Sequence, residues 1–261
     1  MEFQFKEKYD VNDLVEIVRI LRSPEGCPWD KVQTHQSIRQ DFIEEVYEAV
    51  EAIDEGNTEH LKEELGDVLL NVVFHSILEE EKGNFDFSDT ADDVSKKMIL
   101  RHPHVFGNVK ADTPEEVLSN WDKIKMQSKE QKSVTETLES VSKALPSLIR
   151  AQKLHKKAER GGLLTESPDH IIDGIVSQLE DLKRSLSENE ADDQSEKIGD
   201  ILFEMTGLAK ALDTESEKSL YNACGRFTER FERLEKNVNK AGINIQNVSP
   251  EVVKILWENA K

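Results

Sequence analysis

A mainly helical chain built as two related modules is what three features of this sequence predict. Glycine and proline are sparse, at 12 and 7 of 261 residues, which leaves few sites for the tight turns of an all-β fold. Apolar residues recur in segment after segment at the three- and four-residue spacing of one helix face. The motif Glu64-Leu-Gly-Asp-Val-Leu-Leu70 returns 133 positions later as Lys197-Ile-Gly-Asp-Ile-Leu-Phe203, the mark of an internal repeat.

Taken in order, Leu14, Val15, Val18 and Leu21 set a first helix over 11–21. Two prolines and a glycine in Ser23-Pro-Glu-Gly-Cys-Pro-Trp-Asp30 break it. A second helix starts around Ser37 with Ile38, Phe42, Val46, Ala49, Val50 and Ile53 on its apolar face, and Gly56 is its expected C-terminal residue. A third starts near Thr58 as N-cap, buries Leu61, Leu65, Val68, Leu69, Val72 and Val73, and closes at Gly83. A fourth, over 88–100, leads into Arg101-His-Pro-His-Val-Phe106. Residues 107–135 read as a polar, lysine-rich connector with one short helix at 114–126. Helices at 141–159, 168–187 and 194–212 follow, then a long one over 215–241 and a tail containing Trp257. The expected layout is a first module over 1–110, a connector over 111–140 and a second module over 141–261.

Hydrophobic residues make up 37% and charged residues 33%, which suits amphipathic helices with wide solvated faces rather than one thick core. A formal charge of −19 argues against non-specific nucleic-acid binding, which needs Lys and Arg against phosphates. It favours instead a divalent cation that bridges an acidic protein and an acidic ligand. No apolar run approaches the roughly 20 residues of a membrane span. The stretch MEFQFKEKYD lacks the apolar core of a secretory signal, and Cys27 and Cys224 make no disulfide framework. The expectation is a soluble cytoplasmic protein that binds neither nucleic acid nor membrane.

The acidic residues of the second and third helices carry the chemistry. Glu45 and Glu48 are three apart and share a face, and Glu64 and Asp67 repeat that spacing on the next helix. Both pairs mirror about Gly56, so in an antiparallel hairpin turning there Glu45 faces Asp67 and Glu48 faces Glu64. Four carboxylates held together repel one another unless a cation joins them. Hard oxygen ligands suit Mg²⁺, or Mn²⁺ in its place, and magnesium shares its coordination with substrate phosphates. A di-iron bundle would want Glu-x-x-His, and His75 lies two turns beyond Asp67. The spacing by itself also fits a plain solvated face. For phosphate, Lys97 and Arg101 share a face at a helix end, and the planar guanidinium of Arg101 grips phosphate in a fixed geometry. Lys31, Lys123 and Lys125 are either further phosphate ligands or surface lysines. Trp29, in a loop, either stacks on a base or plugs the domain edge.

Five segments carry a family resemblance: Leu21-Arg-Ser-Pro-Glu-Gly-Cys-Pro-Trp-Asp-Lys-Val-Gln-Thr-His35, Glu44-Glu-Val-Tyr-Glu48, Glu64-Leu-Gly-Asp67, Arg101-His-Pro-His-Val-Phe106 and Ala144-Leu-Pro-Ser-Leu-Ile-Arg-Ala-Gln-Lys153. Over nearly its whole length the chain resembles the MazG-type nucleoside triphosphate pyrophosphohydrolases of the all-α NTP pyrophosphatase group. The resemblance implies Mg²⁺-dependent cleavage between the α and β phosphates, releasing a nucleoside monophosphate and pyrophosphate. It also implies a homodimer of helical bundles that removes unwanted nucleotides. The fold expectation becomes all-α, with two related helical-bundle modules in tandem and the metal site on an antiparallel helical hairpin.

The family's EExxE and ExxD pattern falls on Glu44, Glu45, Glu48, Glu64 and Asp67. The last four are expected to hold metal, and Glu44 to act as base or second-metal ligand. Lys97 and Arg101 would take the β and γ oxygens, with Trp29, Lys31 and Lys125 as further substrate contacts.

The second module departs from the pattern, with Ser177, Gln178, Asp181, Lys197 and Asp200 at the equivalent positions. A lysine there repels a cation. Leu163-Leu-Thr165 stands where Phe-Asp-Trp is usual, and Asn222-Ala-Cys-Gly-Arg-Phe227, whose Arg226 is the counterpart of Arg101, replaces Lys-Ala-Asn-x-Lys-Phe. Catalysis is therefore expected in the first module, with a degenerate second one kept for dimerisation, stability or regulation. Two rivals remain: a non-catalytic nucleotide-binding or regulatory helical dimer, and an enzyme restricted to one deoxynucleotide such as dUTP or dCTP.

Overall fold

The computed structural model describes residues 3–128, 133–163, 166–188, 191–240 and 249–260, and no strand occurs among them. The chain divides into two compact units, Met1–Lys125 and Met126–Lys261.

In the first unit, α1 (Val11–Arg22) starts at Asp10, whose carboxylate accepts from the Asn12 and Asp13 amides while Asp13 returns the bond to Asp10. The next loop folds back so closely that a Cβ at Gly26 would collide with the Ile20 and Leu21 carbonyl oxygens. Arg22 pins that loop, donating to the Asp30 carbonyl at 2.6 Å and the Gln33 carbonyl at 3.3 Å, and it pairs with Glu81 at 2.7 Å. Then α2 (Arg39–Glu55) ends on Gly56, whose φ of 66° is the left-handed conformation glycine adopts without strain. Asn57, rather than Thr58, caps α3 (Thr58–Glu80), because its carboxamide oxygen takes the His60 amide at 3.2 Å. Gly83, with φ 74°, lies in the turn beyond that helix. Asp86 caps α4 (Phe87–Arg101), which is followed by the single turn α5 (Pro103–Phe106).

The core is small. Val15 and Val18 of α1 meet Ile38 and the α3 residues Val73, Phe74, Ile77 and Leu78. The expected stripes of α2 and α3 are therefore only partly buried. Ala49 and Ala52 are the buried α2 residues, while Val46, Val50, Ile53, Leu65 and Leu69 are exposed. The two helices pack against each other, and α2 buries its small residues rather than its bulky ones, leaving a broad apolar surface uncovered.

The boundary between the units falls within α6 (Pro114–Ser128). The segment expected as a polar connector is thus part of the first unit as far as Lys125, with Trp121 packed edge-on against His102 at 4.9 Å. In the second unit, α7 (Val134–Glu139) packs on α8 (Ser147–Arg160). The helix expected from Val141 starts only after Pro146, since a residue preceding proline is kept out of the helical region. Gln152 joins α8 to the start of α11 (Ser216–Lys240), donating to the Thr214 carbonyl at 2.5 Å and accepting from the Ser216 amide at 3.0 Å. Between them α9 (Pro168–Glu188) and α10 (Ala191–Ala211) pack as a second hairpin. The tail around Trp257 is the helix α12 (Pro250–Asn259). Trp257 lies under the Arg230 guanidinium at 3.9 Å, and Leu256 and Trp257 pack against the buried Leu234 and Val238. Leu164 and Thr165, part of the noted departure at Leu163-Leu-Thr165, lie outside the described residues, as does Ala241. No helix among the described residues is long and apolar enough to cross a membrane.

Candidate metal centre

The two-residue link Gly56–Asn57 turns α3 back on α2, and the turn sets which carboxylates meet. Glu45, Glu48 and Glu64 each place a carboxylate oxygen within 4.8 Å of the others. Glu64 is the innermost, only 6% exposed, with Glu45 half-buried and Glu48 exposed. The electrostatic neighbours follow the mirror about Gly56. Burial pushes the Glu45 carboxyl above its ordinary value, and Asp67 is the next largest cause. The Glu48 carboxyl is also raised, chiefly by the charge of Glu64. Asp67 is half-buried beside this group but outside its tightest three members.

Glu64 is also the least satisfied. Its Oε1 pairs with His60 Nε2 at 3.1 Å, while Oε2 is buried with no hydrogen-bond partner. A desolvated carboxylate oxygen lacking a donor is costly. Among the described residues no lysine or arginine pairs with Glu45, Glu48, Glu64 or Asp67. Clustered oxygen donors, an orphaned buried oxygen and no competing side-chain cation fit a hard divalent ion. His60 is the residue that sequence reading missed. Its only signal was the four-residue spacing to Glu64, which on a helix brings side chains together.

The other sequence candidates lie around this group rather than in it. Glu44 is exposed and accepts from Gln40 at 3.0 Å on its own helix. Trp29 is 59% exposed, and Lys31 donates to the Pro24 carbonyl at 2.8 Å within its own loop. Lys97 and Lys123 are exposed, and Lys125 is half-buried at the end of the first unit. Arg101 is half-buried, with its guanidinium over the Trp121 ring at 5.2 Å. His75 makes its contacts with His35 and Phe42 rather than with the carboxylate cluster. Its Nδ1 meets His35 Nδ1 at 2.8 Å, and His35 Nε2 meets Glu79 at 2.6 Å.

Fold and site together define an all-α protein whose helical hairpin carries a carboxylate cluster that could hold a metal ion. Comparison with known proteins narrows the class. The family model for the MazG nucleotide pyrophosphohydrolase domain matches residues 33–106, a span that contains all five acidic candidates. A Thermotoga maritima protein named nucleoside triphosphate pyrophosphohydrolase/pyrophosphatase MazG is 38% identical over 249 residues, covering 95% of this chain and 94% of its own. The Escherichia coli nucleoside triphosphate pyrophosphohydrolase is 34% identical over 254 residues, covering 96% and 97%. The Bacillus subtilis protein YabN is 40% identical over 248 residues, and this chain spans 50% of its length. The chain belongs to the MazG family.

Proposed function

We propose that this chain hydrolyses nucleoside triphosphates to nucleoside monophosphate and pyrophosphate, using Mg²⁺ held by its first unit. The observation that carries the reading is Glu64, buried beside Glu45 and Glu48 with an oxygen that no protein donor satisfies. Glu45, Glu48 and Glu64 would hold the ion, with Asp67 completing the set. Bound there, a divalent ion supplies Lewis-acid polarisation of phosphate oxygens and a water of lowered pKa. His60 holds Glu64 by its outer oxygen and leaves the inner one for the ion. Glu44, exposed and adjacent to Glu45, would act as a base or as a ligand to a second metal at the rim of the site.

Arg101 and Lys97 are assigned to the phosphates that leave. The contact between Ser76 and Thr90 at 3.5 Å marks where α3 and α4 meet. From there Glu64 lies twelve residues back along α3 and Arg101 eleven residues on along α4, about 18 and 17 Å at the helical rise. Similar lengths from a shared contact bring the two toward one end of a helical hairpin. The uncovered apolar face of α2 and α3, with Val46, Val50, Ile53, Leu65 and Leu69, supports a homodimer in which a second copy covers it. The second unit is assigned a degenerate form of the same module, and the protein is placed in the cytoplasm.

The test is a panel of ribo- and deoxynucleoside triphosphates with Mg²⁺, assayed for pyrophosphate. Pyrophosphate release is expected, with Glu48→Gln abolishing it and Asp181→Asn sparing it. Absence of pyrophosphate with every nucleotide would leave a non-catalytic binding protein. Loss in Asp181→Asn but not in Glu48→Gln would move catalysis to the second unit.

A further inference from the structure

The match to the family's domain model ends at Phe106, yet the first unit continues to Lys125. That later segment meets the end of α4 at Trp121. The Arg101 guanidinium lies over its ring at 5.2 Å, and His102 meets the ring edge-on at 4.9 Å. His102 is itself fixed by a 2.6 Å hydrogen bond between its Nδ1 and the Met98 carbonyl. Arg101 Nε and His104 Nδ1 are both buried without a hydrogen-bond partner.

The contrast with the two arginines that α1 sends to α3 and the turn after it is chemical. Arg19 and Arg22 are paired with Glu80 and Glu81 at 3.0 and 2.7 Å. In a chain with 53 acidic residues, no carboxylate among the described residues pairs with Arg101. A carboxylate would fix a guanidinium but cancel its charge and occupy its donors. An aromatic face holds the same group through its quadrupole and leaves both charge and N–H donors for an incoming anion.

We infer that Trp121 is a positioning residue for substrate phosphate: it presents the Arg101 guanidinium, un-neutralised, to the polyphosphate of the nucleotide. The segment after Gly107 is then a working part of the first unit. The inference rests on the reading of Arg101 as a phosphate ligand, and the experiment separates the two.

Trp121→Leu, Trp121→Phe, Arg101→Ala and the double variant Trp121→Leu with Arg101→Ala are compared in the full chain. Calorimetry gives the Kd of an α,β-methylene nucleoside triphosphate with Mg²⁺, which needs no turnover, and pyrophosphate release gives KM and kcat. Trp121→Leu is expected to raise Kd and KM about tenfold with a smaller fall in kcat, because one cation–π contact is worth about that factor when desolvated. Trp121→Phe, which keeps a ring face, is expected to recover most of the loss. The double variant is expected to be no weaker than Arg101→Ala. Mn²⁺ affinity without nucleotide should stay at its wild-type value in Trp121→Leu, which a general loosening of the fold would not allow.

An unchanged Kd in Arg101→Ala overturns the assignment of Arg101 and the inference with it. A raised Kd in Arg101→Ala beside an unchanged one in Trp121→Leu overturns the inference alone. Additive losses in the double variant, Trp121→Phe as weak as Trp121→Leu, or a lowered Mn²⁺ affinity would each do the same.

Discussion

The hairpins α2–α3 and α9–α10 share a Gly-Asp pair, at 66–67 and at 199–200, and they differ in how their charges are satisfied. In the first, Glu45, Glu48 and Glu64 crowd together, and among the described residues only the His60 imidazole answers them. In the second, Asp181, at the position of Glu48, already pairs with Arg184 on its own helix at 2.6 Å. In the repeat assigned from the sequence, Lys197 and Gln178 take the positions of Glu64 and Glu45. Both hairpins hold a buried oxygen without a donor, Glu64 Oε2 in the first and Gln178 Oε1 in the second, but only in the first does that oxygen belong to a carboxylate crowded by others. A neutral carboxamide without a donor costs less than a charged group in the same position, so it is the first hairpin that calls for a cation.

The largest expected effect breaks that asymmetry at its centre. Glu64→Gln keeps the shape of the side chain and removes its charge, and turnover should fall on the order of a hundredfold or more. Lys197→Gln, at the matching position, should leave turnover close to wild type. Initial rates of pyrophosphate release measure both, and equal losses in the two variants would show that the hairpins share the work.

Much of this comparison was legible in the sequence. Periodicity placed the helices, because each has an apolar face and a glycine, proline or capping residue at its ends. The mirror about Gly56 placed the carboxylates, because a two-residue turn leaves little freedom of register. Depth was not legible. Leu65 and Leu69 read as buried and are exposed, whereas Glu64 is buried, since α2 packs through Ala49 and Ala52 and leaves its larger residues outward. The role of Trp121 was hidden for a related reason. Its partners Arg101 and His102 are about twenty residues away, and no helical period links them.

A second test concerns stability rather than rate. Removing the cation leaves like charges together around a desolvated oxygen, so the ion should stabilise the fold by mass action. At a hundredfold excess over its Kd that amounts to about 2.7 kcal/mol. Thermal melts with Mg²⁺ and with EDTA should therefore differ in the wild type and coincide in Glu64→Gln. In EDTA, Glu64→Gln should be the more stable of the two, the usual direction when a functional site is neutralised. A wild-type melt indifferent to Mg²⁺ would mean the first hairpin resolves its repulsion internally.

The smallest effect separates the carboxylate cluster from its neighbour on α3. Glu79 receives Lys82 and Asn84, each at 2.6 Å, and His35 at 2.6 Å, and these donors lower its carboxyl from 4.5 to about 2. The folded value lies below the unfolded one, so the ionised form favours folding. That contribution is complete above about pH 4.5 and is lost as pH falls through about 2. His75 acts in the same direction, since burial and then the charge of His35 lower its pKa from 6.5. Its neutral form favours folding, with the benefit full above 6.5 and declining as the solution becomes more acid. Denaturant midpoints of wild type and Glu79→Gln should therefore differ most at neutral pH and converge between pH 4.5 and 2. A gap that stays constant through that window would mean that Glu79 acts by packing rather than through its charge, since the raised carboxyls of Glu45 and Glu48 are relieved, not strained, by acid.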